Sequence, residues 1–309
     1  ADFSTIDYRS ATTVTLDSSR VVAGLVTGDI VPSHPWTLST SNTSTLTLNS
    51  PTSSTWTVSN QITNANIKVI APYGFRKKGL GQLVLRNMCD VANSTIVEAG
   101  TLELAYNSVG NGTIGGNLTI NKGATLLCSV NNALGYSGSN WVRNVTINGG
   151  TIESTATNSD CGWGVNYQLT DATLRASGSG SRFSAGGGTS FTINPGNTGT
   201  VVNGDLRLRD GNFGNIVNIT VLDGAAPNDL TINGPISAFA SGYGISFSGT
   251  GLTRIAGTGT YSGFTTVAEG TLQLDGALNS SSVRIRNAAK LTGSGTLGVG
   301  GAIEGILAP

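Results

Sequence analysis

Three observations predict an all-β chain folded as a single-stranded right-handed parallel β-helix, a β-solenoid with coils of roughly 22 residues. Apolar and polar residues alternate over short runs, and no window repeats apolar residues at helical spacing. Each run is bounded by Gly, Asn or Asp, which tolerate the left-handed conformation of a tight corner. Successive strand starts at Leu118, Val145, Tyr167 and Phe191 lie roughly 22 to 27 residues apart, self-similarity of the size that marks stacked repeats.

In chain order the strands read Thr45-Leu46-Thr47-Leu48, Leu118-Thr119-Ile120, Val145-Thr146-Ile147, Phe191-Thr192-Ile193 and Leu206-Arg207-Leu208-Arg209. Ile219-Thr220-Val221, Leu230-Thr231-Ile232 and Val283-Arg284-Ile285-Arg286 follow. Apolar residues at i and i+2 place one face inside and leave Thr or Arg outside. Each strand leads through a Gly or Asx corner to another apolar pair, as in Ile147-Asn148-Gly149-Gly150-Thr151-Ile152. Leucine-rich, ankyrin and tetratricopeptide repeats need helices, and propeller blades need about 40 residues each. An immunoglobulin-like tandem needs ~100-residue domains and antiparallel hairpins. Stacking at ~4.8 Å, about 13 coils make a rod of roughly 60 Å. The expected organisation is one continuous β-helix over 1–309, with 1–20 as an N-terminal edge strand.

Composition supports export. The 309 residues include 44 Gly, 40 Thr, 33 Ser and 28 Asn, and only 11% are charged. With 8 Pro and no Gly-X-Y period the chain is not collagen. Seventeen basic residues balance seventeen acidic ones, which removes the electrostatic case for nucleic acid. No apolar run of ~18 residues offers a membrane helix. Ala1-Asp2-Phe3-Ser4 carries no basic or apolar leader, as expected if a signal peptide has been removed. Cys89, Cys128 and Cys161 lack zinc-site spacing and read as buried thiols, or as one bridge and one thiol. The Ser/Thr/Asn-rich surface points to a secreted or cell-surface protein.

Two segments, 79–104 and 249–274, match one another at a constant offset. Gly79, Gly81, Thr95, Val97, Gly100, Thr101, Leu102 and Leu104 correspond to Gly249, Gly251, Thr265, Val267, Gly270, Thr271, Leu272 and Leu274. The second copy adds Thr260-Tyr261-Ser262-Gly263-Phe264. This closely resembles the passenger-associated transport repeat, the autotransporter-associated β-strand repeat. The first copy has Cys89-Asp90-Val91-Ala92-Asn93 in place of the Tyr261 and Gly263 element and is degenerate. Leu291 through Pro309 looks like the segment that follows this repeat. The resemblance implies a bacterial autotransporter passenger or a large secreted protein using the same repeat. Its motifs cover the two copies and the tail, and composition and rhythm carry the rest of the chain.

Chemistry is sparse. His34 is the one histidine, so multi-histidine metal sites are excluded and a Ser-His-Asp triad rests on one loop. Polysaccharide lyases of this architecture need acids near Arg, for which Asp205, Asp210 and Asp223 with Arg207 and Arg209 are the candidates. Arg76, Lys77 and Lys78 read as a solvated loop able to touch an anionic glycan. Trp141, Trp163 and Tyr167 lie in irregular stretches near 131–143 and 155–167 and are the candidates for sugar stacking. No catalytic residue, metal or cofactor is assigned. The expectation is a non-enzymatic stalk or fibre subunit whose partner is a second copy, head to tail. An adhesin recognising a surface glycan or host receptor comes second, and a lyase or hydrolase third.

Overall fold

A computed structural model describes residues 1–309 except 32, 60, 187, 210–214, 280, 299–301 and 309, with only the backbone of residue 303. Asp210 and Pro309 therefore lie outside the described residues. The chain is all-β, a right-handed-type β-solenoid of about 12 turns at roughly 23-residue spacing, slightly fewer and longer turns than the sequence suggests. Two compact units form, one from residues 1–145 and 149–161, the other from 146–148 and 162–309.

In the first unit three parallel sheets are built by strands returning turn after turn. One contains Gly24–Thr27, Ser54–Val58, Phe75–Lys78, Ser94–Val97 and Gly116–Ile120. The second runs through Gln82–Leu85, Thr101–Leu104, Thr125–Cys128 and Thr151–Ser154. The third holds Arg20–Val22, Thr45–Leu48, Lys68–Ala71 and Cys89–Val91. Exact register stacks like on like: Leu83, Leu102, Leu126 and Ile152 form one fully buried row. Residues 1–20 join this scheme. Thr12–Leu16 pairs in parallel with Trp36–Thr40, and Asp2 bridges Val26.

The second unit repeats the plan. Its inward row Phe191, Ile219, Phe247, Val267 and Ile285 is again buried and in register. Its outward sheet face of interest comprises Arg182–Gly186, Asp205–Arg209 and Ile236–Ala238. Burying both the apolar rows and the backbone ladders is what lets a charge-poor chain fold, because each turn needs only its neighbours.

The two sequence copies occupy equivalent places within their own units. Gly79 and Gly249 have φ of +76° and +85°, and a Cβ there would lie 2.2 and 2.3 Å from the carbonyl oxygens of Val58 and Val221. Gly100 and Gly270 sit against the glycine pairs one turn away, Gly79 with Gly81 and Gly249 with Gly251. Glycine is required because the next turn's backbone fills the space of a side chain. Val97, Leu102, Val267 and Leu272 are buried, whereas Thr101 and Thr271 are half-buried on the outward side.

Degeneracy of the first copy has a physical cost. In the second, buried Thr265 Oγ1 lies 2.5 Å from the Tyr261 hydroxyl and 2.7 Å from Ser281 Oγ. In the first, Val91 stands where Tyr261 would, and the buried Thr95 hydroxyl has no hydrogen-bond partner among the described residues. Thr95→Val is expected to leave stability unchanged or raise it, whereas Thr265→Val is expected to lose about 1–3 kcal/mol by removing the buried hydroxyl that bonds both Tyr261 and Ser281. Urea unfolding of the two variants checks the asymmetry; equal losses would contradict it.

Candidate functional site

Arg76, Lys77 and Lys78 do not form a solvated loop. They belong to the strand Phe75–Lys78, and strand alternation separates their fates. Arg76 and Lys78 face outward and share Glu98, with Arg76 Nε 2.5 Å from Oε1 and Lys78 Nζ 3.7 Å from Oε2. Lys77 points inward and is fully buried, in the row Trp56, Lys77, Val97, Ile120. Its ammonium donates to the carbonyl oxygens of Gly79 at 2.6 Å, Ala99 at 2.8 Å and Gly81. Burial pulls its pKa down to about 8. Lys77 is thus a corner clip inside the core, and the expected glycan contact shrinks to two side chains already engaged by Glu98.

Tyr167 is likewise removed from any surface platform. It is 2% exposed on the strand Asn166–Thr170, its ring 5.1 Å from that of Phe191. Trp141 is half-buried with the Arg143 guanidinium 5.1 Å from its ring centroid. The stretch 155–167 is not wholly irregular, since Asp160–Cys161 forms a short strand.

Trp163 is the exception. The Arg209 guanidinium carbon lies 4.3 Å from the Trp163 ring centroid and 4.3 Å from that of Phe239. Arg207 stands 5.1 Å from the same Phe239 ring, which is 48% exposed. The fold explains this assembly. Arg207 and Arg209 are outward residues of Asp205–Arg209 two positions apart, and Arg207 pairs in register with Ser184 on one side and Ser237 on the other. Gly186 pairs with Arg209, so no side chain obstructs the path of Arg209 across that turn. Phe239 directly follows Ala238, the register partner of Leu208, which places it beside Arg209. Asp205 accepts from Ser237 Oγ at 2.7 and 2.8 Å. Burial raises its pKa, against the Ser237 hydrogen bond and the charges of Arg182 and Arg207.

The lyase set is only partly assembled. Asp205, Arg207 and Arg209 share a strand, but Asp223 follows Ile216–Val221, which belongs to another sheet. The histidine loop brings Ser33 Oγ within 2.8 Å of His34 Nδ1 and places Asp29 Oδ2 3.6 Å from the same nitrogen. A catalytic triad needs the hydroxyl and the carboxylate on opposite ring nitrogens, so this is a loop-fixing cluster. Burial of Asp29 is outweighed by the amides of Tyr8 and Ser33 and by His34, and its pKa is lowered. No group of three or more metal-ligating side chains occurs among the described residues.

Phe239 escaped sequence reasoning, although Arg207 and Arg209 did not. The turn-to-turn register that pairs Arg207 with Ser237 would have found it. Cys128 and Cys161 also come together: their Sγ atoms are 3.5 Å apart and both are fully buried. The Cys161 contact and burial raise the Cys128 pKa well above the usual thiol range. Refolding with oxidised glutathione is expected to join Cys128 to Cys161, the two electrons leaving with two reduced glutathiones, while Cys89 stays a thiol. Thiol titration with peptide mapping checks the pairing; a bridge involving Cys89 would contradict it. No protein-family model matches this chain, nor does any curated protein or solved structure.

Proposed function

We propose that this protein is a non-enzymatic extracellular structural protein of the autotransporter-passenger kind. It is a secreted or surface-displayed β-helix that serves as a stalk or fibre subunit through end-to-end stacking of coils. The supporting observation is the destination of the charged and polar side chains, which tie turn to turn. Asp171 accepts from the amides of Asn197, Thr198 and Gly199 at 2.8–3.0 Å, and these bonds outweigh burial and lower its pKa. Asp229 accepts from Gly224 and Leu252. Arg254 meets Asp275 at 2.7 Å, a contact that leads the lowering of that carboxyl's pKa. Carboxylates so engaged are poor general acids, and all of these contacts except that of Asp229 with Gly224, which closes a corner within one turn, fix one turn on the next. Ala302–Ile303 and Ile306–Leu307 keep the same parallel pairing, so a further parallel strand can add beside them from the same polypeptide or from another copy.

Antibody labelling of intact producing cells, with assay of the culture medium, is expected to find the protein outside the cell. Confinement to the cell interior would overturn this reading. A second reading, a glycan-binding passenger, is favoured by one observation, the exposed Phe239 ring flanked by Arg207 and Arg209.

A further inference from the structure

We infer that Cys128 and Cys161 are a redox latch set during folding. The thiol–disulfide balance in which the chain folds decides whether they join, the folded protein then keeps that state, and the bridge fixes the irregular side of the first unit. The two sulfurs are 3.5 Å apart, and both side chains are fully buried within that unit. Cys128 ends the strand Thr125–Cys128 and stands in register between Leu104 and Ser154, each fully buried as well. Interiors packed in this way have few voids larger than a water molecule, so a tripeptide disulfide such as oxidised glutathione reaches the thiols only when turns part. The Cys161 contact and burial also hold the Cys128 thiol well above the usual range, which leaves little thiolate for exchange.

The pair lies where the first unit is least regular. Its third sheet ends at Cys89–Val91. On that side the next turns carry the irregular segments 105–115 and 129–141, and a strand returns at Asp160–Cys161. Scattered hydrogen bonds stand in for the ladder. The Cys89 amide donates to the Thr113 carbonyl at 2.7 Å, the Thr113 amide to Ala133 at 2.9 Å, and the Gly112 amide to Asn140 at 2.7 Å. Segment 129–141 begins directly after Cys128, and its Asn131 accepts from the amide of Asp160, the neighbour of Cys161, at 3.3 Å. Segments held in this way open more readily than continuous ladders. A bond between Cys128 and Cys161 ties the start of the segment to the strand that closes it.

Joining consumes one disulfide oxidant. One thiol attacks oxidised glutathione and releases a first glutathione; the second thiol attacks the mixed disulfide and releases the other. One protein S–S bond forms, two S–H bonds are lost, and two electrons reduce the oxidant. The mixed disulfide needs room for a tripeptide, which the folded column lacks. A chain that folds in a reducing compartment therefore keeps two thiols, and one that folds in an oxidising exterior keeps the bridge.

The test uses the whole chain folded twice, once with dithiothreitol and once with oxidised glutathione. The first sample, freed of reductant and given oxidised glutathione in native buffer, is expected to form the bridge at least about 100-fold more slowly than the same chain in urea. The second is expected to resist dithiothreitol in native buffer and to yield to it in urea. Hydrogen exchange of 129–141 is expected to be about 10-fold slower in the bridged protein than in the reduced one. C89S is expected to behave as the parent in each assay. C128A/C161A is expected to exchange as the reduced parent does, and the reduced parent alone supplies the comparison if that variant does not fold. A native chain oxidised as fast as the unfolded one would overturn the latch and leave the pairing standing. No bridge after folding with oxidant, or a bridge through Cys89, would overturn both. Equal exchange of 129–141 in the two states would overturn the action of the bridge on the irregular side.

Discussion

Gly249→Ala is expected to cost more than about 4 kcal/mol, a loss that reaches beyond ordinary point substitutions. Two penalties add. The residue has φ of +85°, where an L side chain costs roughly 1–2 kcal/mol. The new Cβ also lies 2.3 Å from the Val221 carbonyl oxygen and 3.0 and 3.2 Å from two further backbone atoms. Those atoms belong to the neighbouring turn's ladder and cannot yield without parting the coils. Gly123→Ala separates the terms, because φ there is +75° and nothing lies within 4 Å of the Cβ position. Its expected loss is only the conformational roughly 1–2 kcal/mol. Denaturant midpoints of the two variants provide the comparison. Similar losses would mean that close stacking of turns does not explain why the repeat keeps its glycines.

Lys77→Glu is expected to abolish folding, since it aims a carboxylate at the three carbonyl oxygens that now receive an ammonium. Lys77→Met is expected to fold, with a modest loss near neutral pH from the carbonyls it leaves. The second copy carries Phe247 at the equivalent position, buried between Ile219 and Val267, so an apolar side chain fits this place in the repeat. The ammonium also gives a signature in pH. Its pKa is about 8 folded against 10.5 for an ordinary lysine. Between those values the unfolded chain binds more protons, so this group makes stability rise with pH across that window. The rise is at most about 3 kcal/mol. Cys89 and Tyr261, both pushed up to about 12 by burial, act in the opposite sense at higher pH. The readout is therefore the difference between parent and Lys77→Met from pH 7 to 11. A difference that grows with pH in favour of the parent supports the buried ammonium; a flat difference contradicts it.

Much of the fold was legible because its signals are local. Alternation in Leu206-Arg207-Leu208-Arg209 and Phe191-Thr192-Ile193 assigns inward and outward faces without reference to distant residues, and both strands appear where the pattern places them. The long repeat was legible because its glycines answer a backbone contact that recurs. Lys77 was misread for the opposite reason. Three consecutive cations read as solvated, yet Phe75 is buried and the strand period carries Lys77 to the same side. Only carbonyls from the following corner and the next turn make that burial tolerable. Trp163, Arg209 and Phe239 come from separate turns, so their meeting depends on the length of each intervening turn. The mean period does not supply those lengths: the step from Ser184 to Arg207 is clearly shorter than that from Arg207 to Ser237. Tyr167 was read rightly as a strand start, but its candidacy for sugar stacking fails because its ring is buried.

The structural reading stands most directly on self-association. Negative-stain electron microscopy of the purified protein over a concentration series tests it. Fibres that lengthen as concentration rises, with an axial repeat set by the single chain, are the predicted result. Discrete particles of unchanged size at every concentration would contradict end-to-end stacking and leave glycan binding as the reading to pursue.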